Sequence, residues 1–242
     1  MDIRNRSVLI TGGSRGLGRA LGEVFASEGA RVVLAARNAA ELDRTVEDIR
    51  RAGAEVYGIA ADIAGKNDAH RIAGEAAALA GPIDILFQNA STLGPVPLRL
   101  LLDTDCEDLE RVLQVNLVGP FRLQKIIVGS MALRGQGLVV TISSDAAVEA
   151  YSRWGAYGVS KAALDHMTRI WAAELAQSGV RFLSIDPGEM NTRMHADAAP
   201  AADPADLADP RDVARRIAAA VRDIDRFKNG DRIVAAAMEV VR

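Results

Sequence analysis

The chain has 242 residues but only one cysteine, three histidines and no run of five or more like charges. Each scarcity removes a class of function. Cys106 alone excludes an internal disulfide and points to a reducing compartment. Within DTDCEDLERVL it reads as a packing residue of a helix. His70 has no partner at metal-ligand spacing, and no His/Cys/carboxylate cluster stands elsewhere, so no bound metal is expected. A net charge of −3 and a pI of about 5.7 give no electrostatic case for nucleic acid or an anionic membrane. No stretch approaches the roughly 18 apolar residues of a membrane span. The start MDIRNRSVLITGG has too short an apolar run for a secretory signal. The expectation is a soluble cytoplasmic protein with a small-molecule partner.

What is present is apolar and regularly punctuated. Hydrophobic residues make up 49% of the chain, enough for one large core in a single α/β domain over 1–242. There is no internal repeat and no Pro/Gly/Ser linker. Short apolar runs predict strands at 7–11, 31–36, 54–60, 83–88, 138–143, 180–186 and 231–236. Helical patterns lie between them at about 16–28, 39–52, 66–80, 105–133, 155–178 and 210–223. Strict β-α-β alternation with nearly continuous strand apolarity predicts a doubly wound Rossmann fold. Its seven-stranded, mostly parallel sheet would carry helices on both faces. Ligands of such sheets bind beyond the carboxyl ends of the strands, and the polar candidates fall there. MHADAAPAADPADLAD (194–209) has little to pack and reads as a mobile loop, inside a substrate segment at about 190–210.

TGGSRGLG (11–18) follows the first strand and opens a helix. Gly12, Gly16 and Gly18 would let the backbone approach a pyrophosphate at the helix N-terminus, but a tight turn without a ligand has the same pattern. The stretch is not Gly-x-Gly-x-x-Gly. A P-loop NTPase fails at Arg19-Ala20, where a Lys and a Ser or Thr belong. An NAD site places a carboxylate at the end of the second strand, about 20 residues after the glycines. Here Ala36 and Arg37 stand instead, so Arg37 with Arg15 would neutralise the 2′-phosphate of NADP.

YGVSK puts Tyr157 and Lys161 at i and i+4 on one helix face. A tyrosine of ordinary pKa about 10 is a poor base at neutral pH, and a nearby ammonium stabilises its phenolate. Ser144 ends a strand, where its hydroxyl would hold a carbonyl oxygen or simply form a turn.

Together TGGSRGLG, Asp62, QNAS, Asn116 in LQVNLVGPF, ISS ending at Ser144, YGVSK and DPGEMNT resemble the short-chain dehydrogenases/reductases, from about residue 5 to 193. The resemblance implies an NADP(H)-dependent oxidoreductase of carbonyls and alcohols, assembled as a homodimer or homotetramer through helices 105–133 and 155–178. It implies a tetrad of Ser144, Tyr157, Lys161 and Asn116. Tyr157 would be the acid that protonates the carbonyl oxygen, and Ser144 would orient that oxygen. Lys161 would bind the nicotinamide ribose and lower the pKa of Tyr157, while Asn116 would support a proton relay from a break in the long helix. The implied cofactor contacts begin with Gly12, Ser14, Arg15, Gly16, Leu17 and Gly18 of the turn. They continue with Arg37, Asp62 at adenine, Ile63, Asn89, Ala90, Tyr157 and Lys161, and end with Pro187, Gly188, Met190 and Thr192. Ser91 departs from the pattern by placing a Cβ where glycine lets the backbone approach the cofactor. The chain after 193 also lacks the family's frequent Gly-Gly following the last strand.

At 3.6 residues per turn His166 points away from Tyr157. Trp154, Met190, Met194 and His195 flank the expected pocket, where substrate contact and local packing are equally open readings. A catalytically silent dinucleotide-binding sensor is the alternative from another class.

Overall fold

Successive residues of the central strands alternate between two apolar layers. In the computed structural model, which describes residues 1–237, Val8 and Ile10 of β1 (Ser7–Thr11) enter one core, and Leu9 enters the other. Strand β2 (Arg31–Ala36) divides likewise, Val32 and Leu34 against Val33 and Ala35. This explains apolar runs without polar interruption: side chains on both faces of the sheet are covered. The sheet is completed by β3 (Val56–Ala60), β4 (Ile85–Gln88), β5 (Gly137–Ile142), β6 (Val180–Asp186) and β7 (Arg232–Val234). Its order is β3-β2-β1-β4-β5-β6-β7, and every described pair is parallel. The winding reverses between β1 and β4, which are neighbours, so their carboxyl ends open a crevice.

On one face lie α1 (Gly16–Ser27), α2 (Ala39–Arg51) and α8 (Pro210–Arg222). The other face carries α3 (Asp68–Ala80) and α5 (Gly119–Arg134), with α6 (Gly155–Glu174) beside them. The expected helix 105–133 is three segments: α4 (Cys106–Leu113), a π-helical turn Gln114–Val118, and α5. Gly119 is where this helix crosses the turn after β3, and any Cβ there would overlap the carbonyl of Ile63. The π turn is a local widening of the helix, a feature that hydrophobic periodicity does not register.

Other expectations need correction. Strands β3 and β4 start two residues later than read, and α6 stops at Glu174 because the chain turns through Ser178, whose hydroxyl bonds the Leu175 carbonyl at 2.7 Å. The last strand is only Arg232–Val234, followed by a 3-10 turn at Ala235–Ala237; residues 238–242 of the expected domain lie outside the described residues. Cys106 is exposed, not packed, because α4 buries only Val112. The stretch 194–209 is not a featureless loop. Helix α7 (Arg193–Ala198) starts at Thr192, whose hydroxyl accepts from the His195 amide at 3.2 Å, and Met190 bridges Ala208 in a short parallel pairing.

Candidate active site

The crevice is a cavity of about 530 Å³, with the glycine turn at one end and Tyr157 at the other. The three glycines serve different ends. Gly12 has φ +69° and packs on Ala90 at the end of β4, while a Cβ on Gly18 would overlap the Gly12 carbonyl oxygen. Gly16, at φ +53°, has only the Thr192 methyl at 3.4 Å, so this part of the turn opens into the cavity. Helix α1 has no side-chain cap and no acidic residue in its first turn. Its free N–H groups and positive dipole end therefore suit an anionic group, and the turn fits a dinucleotide pyrophosphate.

Beyond the turn, Ala36 and Arg37 line the cavity, as does Arg15. Both arginines are exposed. Glu41, on the first turn of α2, was not anticipated: it lines the same wall and accepts the Ser14 hydroxyl at 2.7 Å. Leu17, Ile63, Ala90, Pro187, Met190 and Thr192 also line the cavity. Asn89 lines it with its donors committed to β1: its backbone N–H donates to the Thr11 hydroxyl at 3.0 Å and its side-chain amide donates to the Thr11 carbonyl at 2.8 Å. Asp62 and Gly188 are not among the lining residues. Asp62 borders a separate cleft and its carboxylate accepts the Ala64 amide at 3.0 Å, closing the turn after β3. Gly188 has φ +72° and donates to Asp186 at 3.0 Å, which shapes the turn after β6.

At the other end, four elements meet. Strand β5 delivers Ser143 and Ser144, and Ser144 caps a 3-10 turn at Asp145–Ala147. Helix α6 lies close beneath this turn because Gly158 has no side chain; a Cβ there would be 2.8 Å from the Ala146 carbonyl oxygen. Tyr157 is thereby buried beside the hydroxyls of Ser144 and Ser91. Burial pushes its phenol up to about 12, outweighing the lowering by those hydroxyls, and Asp145 and Asp186 push the same way. In the protein alone, loss of water dominates the phenol's ionisation. Lys161 is itself buried, pulled down to about 8 by desolvation, and donates to the Ile142 carbonyl at 2.7 Å. Its ammonium lies 5.5 Å from the centre of the Tyr157 ring.

Asn116, on the π turn, does not line the cavity. Its side chain accepts the Thr92 amide at 2.8 Å and donates to Ser160 at 2.9 Å, tying the chain after β4 to α6. Ser144 donates to Asp145 at 2.9 Å, and the same carboxylate takes the Tyr151 hydroxyl at 2.9 Å. Ser91 Oγ is buried with no partner among the described residues. Its hydroxyl beside Tyr157 is a feature that the loss of glycine in QNAS could have signalled. Trp154 packs edge-on to Tyr157 with ring centres 5.7 Å apart, and Met194 and Leu98 complete an apolar patch there. His195 approaches Glu189 at 3.5 Å, whereas His166 and His70 are exposed. No group of three potential metal ligands occurs among the described residues. No described helix is long and apolar enough to cross a membrane.

Comparison with known proteins agrees with this architecture. An uncharacterized oxidoreductase of Thermotoga maritima is 36% identical over 188 residues, covering 78% of this chain and 73% of that protein. Dehydrogenase/reductase SDR family member 4 of Bos taurus is 35% identical over 188 residues, covering 78% and 67%. A Shigella flexneri protein described as a short chain dehydrogenase and complexed with NADP superposes with a TM-score of 0.88. It has 27% identity and covers 97% of this chain and 99% of that one. The family model for short chain dehydrogenases matches residues 6–203, and the chain accordingly belongs to that family of oxidoreductases.

Proposed function

We propose that this protein is an NADP(H)-dependent oxidoreductase that interconverts a carbonyl and an alcohol, with Tyr157 as the acid in reduction and the base in oxidation. The observation that carries the reading is one cavity with an uncapped helix N-terminus at one end and a buried Tyr157–Lys161 pair at the other. Arg15 and Arg37 in its wall, with Ala36 in place of a carboxylate, support NADP over NAD. The NADP in the similar Shigella structure supports the same choice.

When bound, the nicotinamide supplies or accepts the hydride. The chain's own residues do the rest. In the protein alone burial keeps Tyr157 protonated, as an acid in reduction requires, and its role as base in oxidation requires the neighbouring Lys161 ammonium and the bound nicotinamide to stabilise the phenolate. Ser144 can turn its hydroxyl from Asp145 to a substrate oxygen, and Lys161 presents charge next to the phenol. Asn116 holds the loop carrying Ser91 and Thr92 against α6, a positioning role. Residues 190–210, with Trp154, Met190 and Met194, form the substrate side of a single catalytic unit. Exposed Phe121 on α5 and Val159 and Ile170 on α6 support assembly of copies through these helices.

The test is Tyr157→Phe assayed with NADPH across a carbonyl panel. Turnover should fall by about 10²- to 10⁴-fold with NADPH affinity kept within a few-fold. Near-normal turnover would reject Tyr157 as the acid. Stoichiometric NADPH binding by the unmodified protein with no turnover on any carbonyl would favour the silent-sensor alternative.

A further inference from the structure

Behind the Tyr157–Lys161 pair the described residues contain a buried ionic cluster that the chemistry above does not use. Asp165 follows Lys161 by one turn of α6, and Asp186 ends β6; they are only 5% and 4% exposed. Both are held by one side chain from the opposite end of the sequence. Arg232, on the short strand β7, donates from Nε to Asp165 at 3.0 Å and from Nη2 to Asp186 at 2.9 Å. The same Nη2 donates to the Ser144 carbonyl at 2.9 Å. Ser143 closes the cluster by donating to Asp165 at 2.6 Å, and the other Asp165 oxygen is buried without a partner.

We infer that Arg232 is a positioning residue for the reaction, its planar fork fixing the carbonyl of Ser144 and the two buried carboxylates that flank Lys161. The inference rests on the oxidoreductase reading for its kinetic consequence, though not for its electrostatic one. A guanidinium suits this role because it satisfies three acceptors in one plane and stays charged when largely buried. It sets two quantities at once. The bond to the Ser144 carbonyl fixes the turn from which the Ser144 hydroxyl projects. Its positive charge offsets Asp165 and Asp186, the two groups whose field favours the ammonium of Lys161 against the cost of burial. The charged groups facing the pair are therefore Asp145 from the turn after β5, Asp165 from α6, Asp186 from β6 and Arg232 from β7.

Without Arg232 the two carboxylates act on Lys161 uncompensated, so its charged form is stabilised and its titration moves to higher pH, by about one unit. The chain has four lysines, at 66, 125, 161 and 228, and Lys161 alone is buried with a depressed value near 8. Isotope-labelled lysine therefore reports it by NMR without any turnover. In Arg232→Ala the lysine resonance titrating near 8 should move upward, and kcat should fall on the order of 100-fold as Ser144 loses its anchor. In Arg232→Lys the charge remains and the fork is lost, so kcat should fall while the lysine titration stays near its original value.

An Arg232→Ala protein with unchanged kcat and unchanged lysine titration would overturn the inference. If that variant does not fold, Arg232→Lys decides alone: reduced kcat with an unmoved titration supports the role, and unchanged kcat overturns it. Should the unmodified protein reduce no carbonyl at all, the functional reading fails, and the lysine titration still decides whether Arg232 governs Lys161.

Discussion

The two ends of the cavity are built by different means. The nucleotide end is a backbone construction: Gly12, Gly16 and Gly18 bring main chain against main chain, and the unpaired N–H groups of α1 face the cavity. The Tyr157 end is a side-chain construction, in which Ser144 and Asp145 of the turn after β5, Tyr157, Lys161 and Asp165 of α6, and Arg232 of β7 come from three stretches distant in sequence. A backbone site tolerates almost no substitution at its close approaches, because there is no rotamer to move. A side-chain site is tunable, since each group changes the charge and solvation felt by the next.

Gly18→Ala is the most severe test of this contrast. The added Cβ overlaps the Gly12 carbonyl, so stability should fall by about 3 kcal/mol in urea unfolding and NADPH binding should be lost. A variant of ordinary stability and affinity would mean the turn has more freedom than its packing indicates. Arg37→Gln should have an intermediate effect. Losing one charge-assisted contact costs roughly 1.5–3 kcal/mol, weakening NADPH by about 10- to 100-fold with NADH affinity unchanged. Equal losses for both cofactors by calorimetry would remove Arg37 from phosphate recognition. The smallest effect belongs to the substrate end, where Met194→Ala thins the patch around Tyr157. KM for a carbonyl substrate should rise roughly five-fold, about 1 kcal/mol, with NADPH affinity unchanged. A change in NADPH affinity instead would blur the division between the two ends.

The sequence read well where geometry is local. TGGSRGLG lies within one strand-turn-helix unit, and its glycines are required by contacts that neighbouring elements impose. Tyr157 and Lys161 share a helix face by periodicity alone. Asp62 stands apart from the cavity lining, with its carboxylate accepting the Ala64 amide at the border of a different cleft, a placement that no short-range pattern encodes. Cys106 misled because an amphipathic pattern fixes which face of α4 is buried only when the partner is known. Glu41 stayed hidden because nothing in AAEL indicates that α2 begins against Ser14.

Alternating apolarity, the order of strands and helices, and the spacing of the glycine turn and YGVSK are properties of the chain itself. They determined a doubly wound parallel sheet with a dinucleotide-type crevice, because each depends on neighbours within a few residues. The ionisation of that crevice was decided only by the tertiary structure. Burial raises Tyr157 and depresses Lys161, while Arg232 reaches back to Asp165, Asp186 and Ser144. Water exclusion and charge pairing depend on distances in space, and no periodicity along the chain encodes them.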